Sequence, residues 1–227
     1  MRAIGPCIAL ALAACATGAT DPGKALDGGT GIEDAPIQIP AHDAAAVTTT
    51  LKQTDTAAAP SQTIACGSTI GGWTAENGWY RVFPLASFGI SGAFTISEIG
   101  FAVEAARGTQ SITLDVGTYA GAPGGALDTT LVTSVASTSV VIPPTMTPQL
   151  LTAPISAVIP AHSNLIVELR AEDHTNTTTY FYAGASAGPE TAVAYLRAPG
   201  CGADEPQSVK SFDPTAGSVI ITVTGSY

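Results

Sequence analysis

The sequence predicts an all-β protein: an antiparallel β-sandwich, jelly-roll-like, preceded by a disordered N-terminal tether. Three observations predict this class. Only 11% of the residues are charged and Gly is abundant, a composition typical of a secreted β-protein. No stretch carries a capped apolar stripe of helical period. Alternating segments recur instead at spacings of about 10–15 residues, with Gly, Pro and Asn turns between them. About eight or nine strands favour a jelly roll over an immunoglobulin-type sandwich.

The predicted strands share a two-residue alternation of apolar and polar side chains. The clearest example places Ile112, Leu114 and Val116 on one face. A bulge is predicted near Ile99 and Gly100. The predicted strands, in order, are Phe94–Val103, Ser111–Tyr119, Leu131–Ile142, Gln149–Val158, Asn164–Leu169, Thr178–Ala183, Ala192–Arg197 and Ser218–Thr224.

The N terminus is typical of a secretory signal, with Arg2 followed by an apolar run and small residues. The run is shorter than the roughly 20 apolar residues that span a bilayer. The tetrapeptide Leu12-Ala13-Ala14-Cys15 resembles the lipobox of bacterial lipoproteins. The resemblance implies that residues 1–14 are a removed signal peptide and that Cys15 carries the lipid. Ala16 after the cysteine then points to the outer membrane. An ordinary signal peptide is the alternative.

Residues 15–61 are predicted to be the lipidated cysteine followed by a disordered linker. They are small, polar or turn-forming, and they include no aromatic residue. Such a segment buries too little apolar surface to offset the entropy of ordering. A short strand at Pro36–Pro40 is the one alternative within it. Aromatic residues begin at Trp73, so residues 62–227 are predicted to form the β-sandwich domain.

The four cysteines predict one disulfide in the domain. Cys7 leaves with the signal peptide and Cys15 would be lipidated, which leaves Cys66 and Cys201 in an oxidising compartment. Two unpaired buried thiols are the alternative. Neither cysteine belongs to a CxxC motif or has a neighbouring histidine, so a zinc site is not expected.

Four segments of the domain carry a family resemblance. They are Trp79-Tyr80-Arg81-Val82-Phe83, Ile96-Ser97-Glu98-Ile99 running into Val103-Glu104, Val158 to Glu168, and Tyr195 to Gly202. Together they resemble a jelly-roll-like β-sandwich module of secreted bacterial proteins, most of them uncharacterised. In outline that module is similar to carbohydrate-binding modules and to the P-domains beside secreted proteases. The resemblance implies no catalytic residues.

The segment Gly184-Ala185-Ser186-Ala187-Gly188 matches the nucleophile-elbow pattern of α/β-hydrolases. That motif requires a strand, a turn and a helix, with a histidine later in the chain. Here another predicted strand follows, and no histidine lies after Ser186. We therefore predict a small-residue loop.

None of the three histidines has the spacing of a metal ligand. They are predicted to lie in the tether or in solvated turns, and they are His42, His162 and His174.

Two acidic clusters are candidates for a hard cation. They are Glu172-Asp173, and Asp204-Glu205 with Asp213. Calcium takes about six to eight oxygen ligands, which jelly-roll loops can supply. The EF-hand pattern is absent, however, and adjacent acids in loops are usually solvated. The prediction is therefore no cofactor, with calcium as the alternative.

Three aromatic residues are predicted to bind a ligand, because aromatic faces stack on sugar rings. Successive side chains of a strand face opposite sides, so Tyr180 and Tyr182 share a face that Phe181 does not. Trp73 follows Gly71 and Gly72 in a loop. Core packing is the alternative for each of the three.

The net charge of −10 and the pI of about 4.4 argue against nucleic acid as a partner. No coherent set of catalytic groups is visible, so we do not expect an enzyme. A pocket that joins Glu104, Asp115 or Glu168 to a histidine would change that expectation.

We therefore expect a lipid-anchored, monomeric module in the cell envelope of a Gram-negative bacterium, at the outer membrane. Its membrane contact is the lipid, and its β-sandwich binds a glycan or a surface protein. The alternatives are a structural envelope lipoprotein with no discrete ligand, and a secreted hydrolase. If the anchor interpretation fails, the protein is secreted.

Overall fold

The computed structural model describes residues 46–56 and 64–227. The predicted signal peptide, the lipidation site Cys15, the segment Pro36–Pro40 and His42 lie outside the described residues. Within them the chain forms sixteen strands, three short 3-10 helices and one helical turn, α1 (Val209–Phe212). The prediction of an all-β antiparallel sandwich is confirmed.

The strands vary from two to fourteen residues in length. They are β1 (Thr48–Leu51), β2 (Gly67–Ser68), β3 (Trp73–Thr74), β4 (Asn77–Pro84), β5 (Phe94–Arg107), β6 (Gln110–Tyr119), β7 (Val132–Ile142), β8 (Thr145–Met146), β9 (Gln149–Ile159), β10 (Asn164–Ala171), β11 (Tyr180–Ala183), β12 (Ala185–Ser186), β13 (Ala194–Ala198), β14 (Ala203–Ser208), β15 (Ser218–Val219) and β16 (Ile221–Ser226). The 3-10 helices are Leu85–Phe88, Thr129–Leu131 and Pro199–Cys201.

Two six-stranded antiparallel sheets make up the sandwich. Sheet 1 is built around β5, with β16 and β11 along one edge and β9 and β8 along the other, and β1 pairs with β16. Sheet 2 has the order β14-β13-β4-β10-β6-β7. The chain crosses between the sheets repeatedly, from β4 to β5 to β6 and from β7 to β9 to β10, as in a jelly roll.

The inner faces of the two sheets form one apolar core. The alternation predicted for Ile112, Leu114 and Val116 is confirmed, since all three are buried in it. Trp79 and Phe181 meet edge to face there, with ring centroids 5.9 Å apart. Each such large apolar side chain contributes about 1.5–3 kcal/mol by leaving water.

The bulge predicted near Ile99 and Gly100 is wrong. The register of β5 shifts instead at Ser97 and at Glu104, where its partners step past one residue. Gly100 is required for a different reason, because a Cβ there would lie 2.3 Å from the Thr222 hydroxyl oxygen of the paired strand.

The predicted linker, residues 15–61, contains part of the fold. Strand β1 pairs with β16, and Leu51 at its end is buried in the core. Gln53 and Thr54 are also buried, and the Gln53 amide donates to the Val82 carbonyl at 2.6 Å. A composition averaged over the whole linker conceals this short, threonine-rich edge strand. The boundary at residue 61 is therefore wrong for residues 48–54.

A buried cation joins β4 to the late part of the chain. The Arg81 side chain is fully buried, and its guanidinium donates to the carbonyls of Val219 and Ala192 at 2.7 Å. Glu190 lies 3.3 Å from it and also accepts from the Ser218 hydroxyl. Burial lowers the pKa of Arg81 to about 10, against the opposing effect of Glu190, so it stays charged at neutral pH. The ion pair with Glu190 and the hydrogen bonds to the two carbonyls offset the free-energy cost of burying the Arg81 charge.

The predicted disulfide is confirmed. Cys66 and Cys201 are bridged, with their Cα atoms 5.8 Å apart. The bridge ties the segment before β2 to the 3-10 helix before β14. It therefore joins an early segment of the domain, after β1, to its late strands.

Candidate functional site

The outer face of sheet 2 carries a row of polar side chains that we name the charged face. It consists of Tyr80, Asp115, Glu168, Arg170 and Arg197. The residues alternate with core residues along β4, β6, β10 and β13, so the inward positions fix which side chains point outward. Cross-strand register makes them neighbours, since Glu168 lies opposite both Tyr80 and Asp115. Arg170 and Arg197 both lie opposite Gly78.

Two carboxylates stand side by side on this face. Asp115 and Glu168 are directly paired across β6 and β10, an arrangement of like charges that disfavours folding. Arg170 offsets it in part, with its guanidinium 3.6 Å from Asp115. Burial raises the pKa of Glu168, and Asp115 raises it further. The Tyr80 hydroxyl, which donates to Glu168 at 2.7 Å, acts in the opposite direction.

Gly78 makes room for the Glu168 carboxylate. A Cβ at Gly78 would lie 2.6 Å from the Glu168 Oε1 atom and 3.3 Å from the Tyr80 ring. Only glycine lets the carboxylate rest against the backbone of β4. Beside it lies a cavity of about 40 Å³ whose walls include Tyr80, Asp115, Ile166 and Glu168.

A loop covers the other half of this outer face. The Tyr195 hydroxyl donates to the Gly125 carbonyl at 2.7 Å, and the Tyr119 hydroxyl donates to the Ala126 carbonyl at 3.2 Å. Leu127 is buried beneath the loop in a second, smaller apolar cluster. The loop therefore covers one half of the face, whereas Asp115, Arg170 and Arg197 on the charged half are partly exposed.

Arg197 connects the charged face to a larger cavity at the disulfide. Its guanidinium contacts the Glu76 carboxylate, and its Nε donates to the Asp204 carbonyl at 3.0 Å. Glu76 is also on the wall of a cavity of about 380 Å³, together with Trp73, Asp173 and the disulfide. Trp73 packs partly against the core and partly lines this cavity. The indole and the charged face thus share one end of the domain.

The predicted pair Tyr180 and Tyr182 lies elsewhere. Both are half-buried on the outer face of sheet 1, with ring centroids 5.4 Å apart, while Phe181 between them is in the core. The predicted sharing of a face is therefore confirmed. Arg107 is the cross-strand partner of Tyr180. The Phe181 amide donates to the Thr74 hydroxyl next to Trp73 at 3.2 Å, but no ring contact is found between Trp73 and either tyrosine, and the binding role of all three stays a prediction.

The other residues singled out in the sequence have local structural roles. Ser186 is buried in β12, which pairs with β15, and its hydroxyl accepts from the Gly188 amide at 3.1 Å. His162 lies in a turn with a φ of 61°. Asp173 and Asp213 each accept hydrogen bonds from the threonine two residues later.

Metal and histidine chemistry have little support within the part of the chain that the structure describes. No group of three or more His, Cys, Asp or Glu side chains is placed to hold a metal ion there. The cavity that contains Asp115 and Glu168 has no histidine on its wall.

The sequence alone does not show that the residues of the charged face are neighbours. Alternation along each strand indicates that Asp115 and Glu168 point away from the core. It does not indicate that β6 and β10 are neighbours, which depends on the order of strands in the sheet. The glycine at position 78 is the one further signal, because a glycine inside a strand often marks a close approach.

Comparison of the chain with protein-family models, with curated proteins and with solved structures finds no match. The described residues also include no helix with the length and hydrophobicity that a bilayer crossing requires.

Proposed function

We propose that the chain is an envelope lipoprotein whose β-sandwich is a non-catalytic module that binds a neutral glycan. The observation that carries the proposal is the partly exposed charged face next to the cavity lined by Trp73. Carboxylates accept hydrogen bonds from sugar hydroxyls, guanidinium groups donate to them, and an indole stacks on an apolar sugar face.

The charges favour an uncharged ligand. Glu76, Asp115 and Glu168 lie close to Arg170 and Arg197, so neither sign dominates locally. The whole chain carries a net charge of −10, which repels anionic polymers. A polyhydroxylated ligand without charge uses both kinds of group and meets no long-range repulsion.

The test is a neutral-glycan array followed by calorimetry on the full chain. Trp73→Ala and Glu168→Gln should each weaken binding by about tenfold or more, as expected for the loss of one buried polar or stacking contact. Tyr182→Ala is the matched control, because it removes an aromatic ring from the opposite sheet. Binding lost only in the control would move the site to the tyrosine pair. No binding to any glycan would favour a surface protein partner or a structural role.

A second candidate function is glycoside hydrolysis. Paired carboxylates in which one has a raised pKa are the acid and base of many such enzymes, and Asp115 with Glu168 has this form. The same glycans should then yield reducing ends with the wild type and none with Glu168→Gln. Binding without any release of reducing ends would reject hydrolysis.

The proposed anchor rests on the sequence motif that ends at Cys15. Three acyl chains would hold the protein at a membrane, whereas one chain alone binds marginally. Palmitate labelling of cells should mark the wild type and leave Cys15→Ala unmarked. Equal labelling of both would remove the anchor.

A further inference from the structure

One side of the sandwich contains no charged residue. Residues 129–167, which comprise β7, β8 and β9, include no Asp, Glu, Lys or Arg, although the chain has 26 such residues in total (8 basic and 18 acidic). We name the surface of β7, β8 and β9 the uncharged side. The charge of −10 is therefore carried entirely by the rest of the molecule.

The uncharged side also collects exposed apolar side chains. Of the nine large apolar residues exposed in the described chain, five lie on it or at its border. Val141, at 67% exposure, is on the outer face of sheet 2, and Val158, at 55%, is on the outer face of sheet 1. The others are Leu131, Val135 and Leu150. Exposed apolar residues therefore lie on both sheets at this edge. A surface depleted of charged residues is typical of the core of a protein interface.

The edges of the two sheets differ in their protection against strand pairing. Edge strand β14 carries Asp204, Glu205 and Pro206, and edge strand β1 has only four residues. Edge strand β7 has eleven residues without a charge, a proline or a glycine, and β6 is the only described strand that pairs with it. A bulge at Val135 is its one irregularity. Natural edge strands of this length are normally protected unless a partner covers them.

We propose that the uncharged side binds a second copy of this chain, with β7 of one copy antiparallel to β7 of the other about a twofold axis. Like-charged copies repel wherever their carboxylates meet, so the surface without charges is where two copies approach at the lowest electrostatic cost. A twofold axis brings each residue of β7 against the same edge of the partner, which is the self-complementary arrangement of cyclic dimers. The eleven residues of β7, at about 3.4 Å each, extend the contact over about 35 Å.

The test measures the mass of the full chain, kept free of lipid by Cys15→Ser, by light scattering at concentrations up to hundreds of micromolar. The wild type should reach twice the monomer mass, and Val141→Lys should stay monomeric. Gln207→Lys on edge strand β14 is the matched control and should dimerise. Added salt should strengthen the dimer, because it screens the repulsion between copies and removes no attractive ion pair.

Hydrogen exchange separates edge pairing from face packing. Amides in residues 132–142 should exchange more slowly as the dimer forms, whereas those in residues 203–208 should not change. A chain that stays monomeric throughout overturns the proposal, as does a dimer that Val141→Lys leaves intact. A dimer without added protection in β7 overturns the strand pairing. Circular dichroism of each variant establishes that it is folded.

Discussion

The charged face lies on sheet 2, and the uncharged side begins at edge strand β7 of that sheet and continues onto β8 and β9 of sheet 1, yet the two regions place their polar groups in opposite ways. On the charged face, Tyr80 is buried, Glu168 and Asp115 are partly buried, and Glu168 lies against both of them. On the uncharged side, most serine, threonine and valine side chains of β7 are exposed. The difference teaches that this domain concentrates its electrostatic interactions where the disulfide and the buried Arg81 already hold the strands, and keeps them away from β7 and β9. Substitutions on the charged half should therefore affect folding, and those on the uncharged side should affect association alone.

The largest effect is expected at the buried cation. Arg81→Ala leaves Glu190 without its buried partner and opens a cavity in β4, so the free energy of unfolding should fall by about 3–5 kcal/mol. Urea unfolding measures it. The control is Arg197→Ala, which breaks a partly exposed pair with Glu76 and should cost about 1 kcal/mol or less. Equal costs for the two would contradict the special position of Arg81.

Removal of the disulfide should be nearly as costly. Cys201→Ser should lower the free energy of unfolding by about 2–5 kcal/mol, because the bridge closes a loop of 135 residues in sequence separation. The wild type in a thiol reductant should unfold like the variant, and the variant should be insensitive to the reductant. A reductant that destabilises both equally would show that it acts elsewhere.

The third prediction concerns pH. The pKa of Glu168 is raised in the folded state, so the folded chain holds that proton more tightly than the unfolded chain. The resulting contribution to stability is present at low pH and is lost as pH rises from the ordinary glutamate range through the raised value. Glu168→Gln should therefore match the wild type near pH 4 and become relatively more stable at pH 7. Urea midpoints across this range measure it.

Asp128→Asn supplies the control of opposite sign. Hydrogen bonds from Thr130 lower the pKa of Asp128, so its contribution to stability is present at neutral pH and lost on acidification. The variant should be relatively less stable at pH 7. The same direction of change in both variants would mean that the global charge, rather than these local contacts, controls the pH dependence.

The smallest effect on folding is expected on the uncharged side. Val141→Thr keeps a β-branched side chain on an exposed strand position, so the free energy of unfolding should change by less than about 0.5 kcal/mol. Thermal unfolding at low protein concentration, where copies are separate, measures it. If the free energy of unfolding falls by more than about 1 kcal/mol, as for a substitution in the core, β7 is packed more tightly than its exposure indicates.

The sequence predicted the parts of this molecule that depend on local pattern. Alternation identified most of the long strands, and the parity of the cysteines identified the bridge between Cys66 and Cys201. Strand β1 was not predicted, because its four residues lie inside a polar segment and are too few to show an alternating pattern. The charged face was not predicted, because Asp115 and Glu168 are neighbours only since β6 lies beside β10 in the sheet. No local sequence pattern shows which strands are neighbours.

The position of β16 has a consequence for the time course of folding. This strand lies between β1 and β5, so β1 has no described strand to pair with, and β5 lacks one of its neighbours, until residues 221–226 exist. While the chain is being synthesised, β4, β6, β7 and β10 of sheet 2 are available long before sheet 1 can be completed. Pairings of such long range close slowly. Sheet 1 is therefore completed only after residues 221–226 have been synthesised, and a nascent chain without these residues leaves β1 unpaired.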